Sequence, residues 1–386
     1  PGLWDAHIHF AYIEELAPRM FDLFLLYGIT SVRDTGGKIE FVTAWRDLAR
    51  RSPTDAPRVM VAGPLIDGMP NVYDGSDPGH PPLSLGSGSV QAVAQLVERL
   101  DSFDVDFLKA YEMLTPEQFL KIMELAKAKG LKVTGHVPLS MDVIAASNAG
   151  LNSMEHMRNL ELSCASTADQ LLKERREILS KGKNLPGHEL RSSIHTAQRE
   201  VAVANYDDNK ANAILEVLKK NDTWQIPTLA LNTGQTRIPY GRPEWLESFE
   251  YLPDEIGNEW RQAAQLSPAD VPQFRKDYTT WMLNMATKVH KAGIPMMAGT
   301  DTPIGFLTPG LSLHEELLVM VEAGMTPQEA LKTATINPAR YFKLENELGS
   351  IKEGYWADLV MLDANPLEDI RNTLKIVAVV KQGKVF

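Results

Sequence analysis

Eight short apolar segments, 2–10, 28–34, 58–64, 105–111, 131–137, 151–157, 224–230 and 294–301, recur along the chain, most of them separated by amphipathic helical stretches. Runs of this length bounded by turn residues read as buried strands, and strands alternating with helices pair in parallel through right-handed crossovers. Eight such units predict an α/β fold closed as a (β/α)8 TIM barrel. One helix shows its punctuation in full. In TPEQFLKIMELAKAKG, Thr115 is placed to cap the start, Pro116 takes the first helical position and Gly130 ends the helix.

Two gaps interrupt the alternation. Residues 158–223 and 231–293 are too long for bare loops in a compact domain. The heptad-like ADQLLKERREILSK (168–181) and NKANAILEVLKK (209–220) make the first gap largely helical. The second is also read as a helical insertion, and its first part is rich in Pro, Trp and Tyr. Both gaps leave a strand's C-terminal end, so both are positioned to overhang the active face. The barrel with these insertions is assigned to residues 1–343. Residues 344–386 change texture to short strands and turns, too few for an independent β-domain. They are expected to join a small sheet whose other strands precede Pro1 or pack on the barrel.

Composition narrows the function. The net charge is −11 and no basic stripe is present, so a nucleic-acid partner is not expected. The KERREILSKGK stretch (173–183) mixes in glutamates and reads as a solvated helix face. A single cysteine, Cys164, excludes an internal disulfide. No apolar run is long enough for a membrane span. The chain begins at Pro1 rather than Met, so a signal peptide before it stays open. The location is then cytoplasmic or, with such a leader, periplasmic or secreted. The expected partner is a small-molecule substrate, and a homo-oligomer is compatible with the sequence.

The unusual polar residues fall at one end of the expected barrel. His7 and His9 close the first segment, Lys109 sits near the end of the fourth, His136 and His156 near the ends of the fifth and sixth, and Asp301 ends the eighth. Residues two apart on a strand point the same way, so His7 and His9 can chelate one ion. One inward histidine is usually a satisfied core residue. A buried lysine is rarer, since losing its hydration costs several kcal/mol unless its charge is paired or removed. The coincidence of all six is what points to a metal centre. Imidazole and carboxylate ligands suit Zn2+, with Mn2+, Co2+ or Ni2+ as substitutes, and more ligands than one catalytic zinc needs imply two ions.

The residues PGLWDAHIHF, FLKAYE, GHVP, EHM and AGTDTP resemble the motif series of the metal-dependent amidohydrolase superfamily. The tail LHEELLVMVEAGMTPQEALKTATINPAR…LGSIKEGYWADLVMLDANPLEDI is equally similar. KAYEMLTPEQF…GHVPLS is most like the imidazolonepropionase-related branch that includes zinc Xaa-Pro dipeptidases. The resemblance implies one metal on His7, His9 and Asp301, a second on His136 and His156, and Lys109 bridging them as a carbamate formed with CO2. It also implies that the tail is the remnant of a small β-sandwich, a composite whose N-terminal part is absent from this chain. The implied activity is binuclear metal-dependent hydrolysis of amide C–N bonds by a metal-bridging hydroxide, with Asp301 as general base and then acid.

Dipeptides or N-acyl amino acids are the favoured substrates. Tyr111 shares the inward face of Lys109, His80 lies in the Gly/Pro-rich loop 73–88, and Arg158 follows His156, so these three are the substrate-contact candidates. His314 is read as supporting or structural, and His188, His195 and His290 receive no role. Lactones, carbamates, cyclic amides and organophosphates suit the same chemistry. A mononuclear deaminase fits less well, because such relatives generally lack the strand-four lysine. A non-catalytic binding or assembly barrel is the alternative of a different class.

Overall fold

The computed structural model describes residues 1–265 and 270–386, and in it short strands, most of them buried, build the barrel. They are β1 (Leu3–Ile8), β2 (Ile29–Asp34), β3 (Arg58–Val61), β4 (Leu65–Asp67), β5 (Ser84–Gly86), β6 (Phe107–Ala110), β7 (Lys132–Gly135), β8 (Ser153–Glu155) and β9 (Trp224–Ile226). All pair in parallel, in the orders β1-β2-β3 and β5-β4-β6-β7-β8-β9. The third expected segment, 58–64, gives β3 alone, and β4 just beyond it was not expected. Between the two, Gly63 takes a left-handed φ of +75°, which glycine adopts without strain. The seam is stitched by Asp106, whose carboxylate accepts from the Val61 N–H at 2.7 Å and whose N–H donates to the Val61 carbonyl at 2.9 Å. Strand β5 was not expected, because its residues lie inside a Gly/Pro-rich stretch read as loop.

The eighth segment closes the ring without forming a regular strand. It carries single parallel bridges, Met296 to Gln225 on one side and Thr302 to Ile8 on the other. Ala6 N–H donates to Ala298 O at 2.9 Å and Asp301 N–H to His7 O at 2.7 Å. Pro295 removes one ladder donor, and a side chain at Gly299 would come within 2.8 Å of His7 Cβ. The result is a barrel-like α/β fold whose final strand is reduced to contacts at its two edges.

The helix Pro116–Lys129 has the ends its sequence calls for. Thr115 and Gln118 form a reciprocal capping box, and Gly130 ends it at φ +70°. Residues 158–223 carry the helices Leu160–Ser163, Ala168–Lys181, Gly187–Ala204 and Asp208–Lys220. The stretch from Leu229 to Lys291 carries Leu229–Arg237, Pro243–Ser248, Asp254–Gln265 and Gln273–Lys291. Residues 266–269 of the expected second insertion lie outside the described residues. Among the described residues no helix is long and apolar enough to cross a membrane.

The tail forms one three-stranded antiparallel sheet, β10 (Leu359–Leu362), β11 (Ile376–Lys381) and β12 (Lys384–Val385). It leans on the barrel: Gly2 N–H donates to Asp358 O at 2.7 Å, and Val360 packs where a side chain on Gly28 would stand. His314 is structural, its Nδ1 at 2.9 Å from the Thr373 hydroxyl and its Nε2 at 3.0 Å from the Tyr27 carbonyl.

Candidate metal centre

His7, His9, Lys109, His136, His156 and Asp301 converge. All six line one cavity of about 120 Å3 at the C-terminal ends of the strands, the end at which barrel folds build their sites. The β1–β2 register slips between Asp5↔Val32 and Ile8↔Asp34, a bulge at the residues that carry the first imidazole. The four rings form a chain, with centroids 5.3 Å apart for His7–His9, 4.7 Å for His7–His156 and 4.9 Å for His136–His156. Asp301 Oδ1 lies 3.1 Å from the Nε2 of both His7 and His9, and Oδ2 lies 3.6 Å from His156 Nε2. His156 and Asp301 hold left-handed backbone at φ +59° and +66°. Non-glycine residues pay for that conformation in strain, and it persists where the surroundings enforce it.

Every imidazole uses Nδ1 for support. His7 Nδ1 is 2.6 Å from Glu155 Oε2, His9 Nδ1 is 2.9 Å from Gly36 O, and His156 Nδ1 is 2.6 Å from the Thr228 hydroxyl. His136 Nδ1 bonds Glu112. A hydrogen bond at Nδ1 fixes ring orientation and tautomer and leaves the Nε2 lone pair for a metal. His7 Nε2 and Asp301 Oδ1 are buried and make no hydrogen bond among the described residues, although they are close. Buried polar atoms are almost always satisfied, so an orphaned pair of this kind needs a reason. A cation between them supplies one. His7, His9 and Asp301 also offer three ligand atoms within 4.8 Å of one another.

The electrostatics agree with this donor set. Burial would raise the Asp301 carboxyl, but His7, His156 and His9 outweigh it and hold it well below the usual carboxylate range. Burial pushes His136 down to about 3, so its imidazole is neutral, the form that ligates. Lys109 is 1% exposed, and burial lowers it to about 8 against the opposing pull of Glu155 and Asp301. About a tenth of its amine is therefore uncharged at pH 7, far more than for an exposed lysine.

A buried polar layer holds the ligands in place. Glu155 takes Arg33 Nη2 at 2.6 Å and the Thr134 hydroxyl as well as His7. Glu112 takes Arg191 Nε at 3.0 Å and His195 Nε2 at 2.9 Å as well as His136. Both glutamates are fully buried. Burial alone would raise them, yet their basic partners hold both well below the ordinary range.

With this geometry in hand, comparison with known proteins is direct. The amidohydrolase family model matches residues 1–182 and 255–386. The chain belongs to the amidohydrolase family. Among curated relatives, ochratoxinase of Aspergillus niger is 42% identical over 101 residues, 25% of this chain and 20% of that protein. Imidazolonepropionase of Kosmotoga olearia is 36% identical over 80 residues, 20% of this chain and 19% of that one. The matched stretches thus span about a fifth of those relatives' length. Among solved structures, a Xaa-Pro dipeptidase with bound methionine matches with TM-score 0.66 and 19% identity over 100% of this chain and 86% of that one. Bottromycin amidohydrolase matches with TM-score 0.73 and 19% identity over 100% and 76%. At such identities these two show the amidohydrolase barrel fold alone.

The substrate-contact candidates divide. Tyr111 lines the inner cavity, its ring centroid 4.4 Å from that of His136. Arg158 lines both this cavity and a larger one of about 930 Å3 outside it, and its buried Nε has no hydrogen bond among the described residues, with Glu112 at 3.6 Å. His80 lines only the outer cavity, where it bonds Asp77 at 3.0 Å. Sequence reading missed Glu112, Glu155, Arg33, Arg191, His188 and His195. Glu112 stands next to Tyr111 and Glu155 next to His156, so buried carboxylates flanking the ligands were a usable signal. Arg191, His188 and His195 had none, because they come from an insertion helix folded back over the barrel.

Proposed function

We propose that this chain is a binuclear metal-dependent hydrolase of amide C–N bonds in small anionic substrates, with dipeptides and N-acyl amino acids as the class. The observation that carries this reading is the set of four imidazoles, each anchored at Nδ1, with one carboxylate and one buried lysine on a single small cavity. His7, His9 and Asp301 would hold one ion, and His136 and His156 the other. Zn2+ is the ion such nitrogen and oxygen donors suit. When bound, a pair of divalent cations lowers the pKa of water toward neutrality and polarises a carbonyl.

Lys109 would bridge the two sides. Its uncharged amine attacks CO2, an N–C bond forms, one proton leaves to solvent, and the product is a carbamate with two ligand oxygens. Burial favours this step by raising the uncharged fraction of the amine, and neighbouring cations would offset the cost of burying the new anion. Asp301 is held ionised, so it can take a proton from the attacking water and return it to the leaving amine.

Substrate charge is argued from the rim. Arg158 and Arg191 sit where the inner and outer cavities meet, and both pair with Glu112. A carboxylate on the leaving amino acid would pair with Arg158. The prolidase-like fold neighbours and the ochratoxinase match are consistent with peptide-like amides. The test is hydrolysis of a library of dipeptides and N-acyl amino acids, with metal measured on the same sample. Turnover confined to acids with a free carboxylate, at two metals per chain, is expected. Equal turnover of the amidated forms would overturn the substrate class, and none at all with two metals bound would overturn the bond type.

A further inference from the structure

A second cluster of ligand-type side chains lies outside the inner cavity. Asp77 and His80 come from the tight turn Asp77-Pro78-Gly79-His80, in which His80 N–H donates to Asp77 O at 3.0 Å and Gly79 N–H to Asp77 Oδ1 at 2.8 Å. The turn holds both side chains on one side, His80 Nδ1 at 3.0 Å from Asp77 Oδ2. The third member, His188, is brought by a different element, the first turn of the helix Gly187–Ala204. Its Nε2 lies 3.5 Å from Asp77 Oδ2, and its ring stacks on His80 with centroids 4.5 Å apart. His188 Nδ1 is buried and makes no hydrogen bond among the described residues. The three side chains offer ligand atoms all within 4.8 Å of one another.

We propose that Asp77, His80 and His188 form a further divalent-cation site that latches the helix Gly187–Ala204 to the loop 73–88 over the mouth of the inner cavity. Two imidazoles and one carboxylate are a zinc-type donor set, and partial exposure leaves room for water as a fourth ligand. In a tetrahedral zinc site with bonds of about 2.0–2.1 Å, ligand atoms stand roughly 3.4 Å apart. The Asp77–His80 and Asp77–His188 contacts, at 3.0 and 3.5 Å, bracket that spacing.

The approach of the two elements is built in. A side chain at Gly187 would come within 2.1 Å of the Asn71 carbonyl oxygen, so glycine is what lets this helix end meet the chain just before the loop. Tyr12 adds a hydrogen bond from its hydroxyl to Gly79 O at 3.2 Å. His80 and His188 both line the outer cavity, and Arg191, one turn along the helix, reaches Glu112 behind His136. An ion there would fix the wall through which substrate enters.

The test is a metal count by difference, with zinc alone as the probe. Wild type, Asp77→Asn and His188→Asn are loaded with zinc, dialysed and analysed for metal per chain. Each variant is expected to bind one equivalent less than wild type. Hydrogen exchange should show zinc-dependent protection at the start of helix Gly187–Ala204 in wild type and not in the variants. The same one-equivalent loss is expected in a Lys109→Ala background, so the result is read separately from whatever the inner cavity binds. Equal zinc content in wild type and both folded variants, or protection that survives in them, overturns the latch.

Discussion

Replacing Glu112 by Gln isolates what the buried polar layer does. Glu112 is completely buried and accepts from His136, from His195 at 2.9 Å, and from Arg191 at 3.0 and 3.3 Å. Gln keeps the shape and one acceptor but removes the charge, leaving the Arg191 guanidinium without its counter-ion. Removing one partner of a buried pair costs about 3–5 kcal/mol, and the retained acceptor places this case near 3. The amide also cannot accept from both His136 and His195, so the His136 tautomer loosens. Loss of such a supporting partner lowers metal affinity about 10–100-fold, or roughly 1.4–2.7 kcal/mol. The pH sign follows from the depressed carboxyl. The stabilisation is present above the ordinary Glu range and is lost as pH falls through the lower folded value. Urea unfolding of metal-free protein should therefore separate wild type from E112Q by about 3 kcal/mol at neutral pH. A competitive zinc titration should show the affinity loss. A difference below about 1 kcal/mol together with unchanged zinc affinity would refute the reasoning.

Lys109→Ala should lose bound metal and activity, and small carboxylates should restore part of both; full metal content in that variant would remove the bridging role. Arg158→Met should raise KM for substrates with a free carboxylate by about 10–100-fold, the range of a lost charge-assisted pair, with kcat changed far less. Glu316 accepts the Ala230 N–H at 2.7 Å, and burial pushes its carboxyl up from 4.5 to about 8. Its ionisation in the unfolded chain thus weakens the fold progressively as pH rises from 4.5 toward 8, so Glu316→Gln should stabilise by about 2–4 kcal/mol at pH 8 and by nothing below pH 4. Thermal or urea melts across that range give the comparison.

The periodicity of apolar segments was enough to place seven of the eight strands, because parallel strands buried on both faces leave a continuous apolar trace. The third and eighth deviate for local reasons: the third ends at Val61 before the left-handed Gly63, and Pro295 with Gly299 reduces the eighth to single bridges. The candidate ligands were legible because five of them sit on those strands or one residue beyond, and Asp301 ends the eighth segment. His136 and His156 follow β7 and β8 directly, where position in the chain fixes position in the barrel. Arg191 and His195 were not legible. They lie on the helix Gly187–Ala204, whose return over the cavity depends on tertiary packing such as the Gly187–Asn71 approach. The tail strands were legible as strands, and the structure shows them as one three-stranded layer leaning on the barrel.

The central claim is that His7, His9, Lys109, His136, His156 and Asp301 together hold two divalent cations. Anomalous diffraction at the zinc edge from zinc-loaded crystals tests it most directly. Two peaks inside the inner cavity, roughly 3.5–4 Å apart and flanked by those six side chains, are predicted. A single peak there, or none, would contradict it.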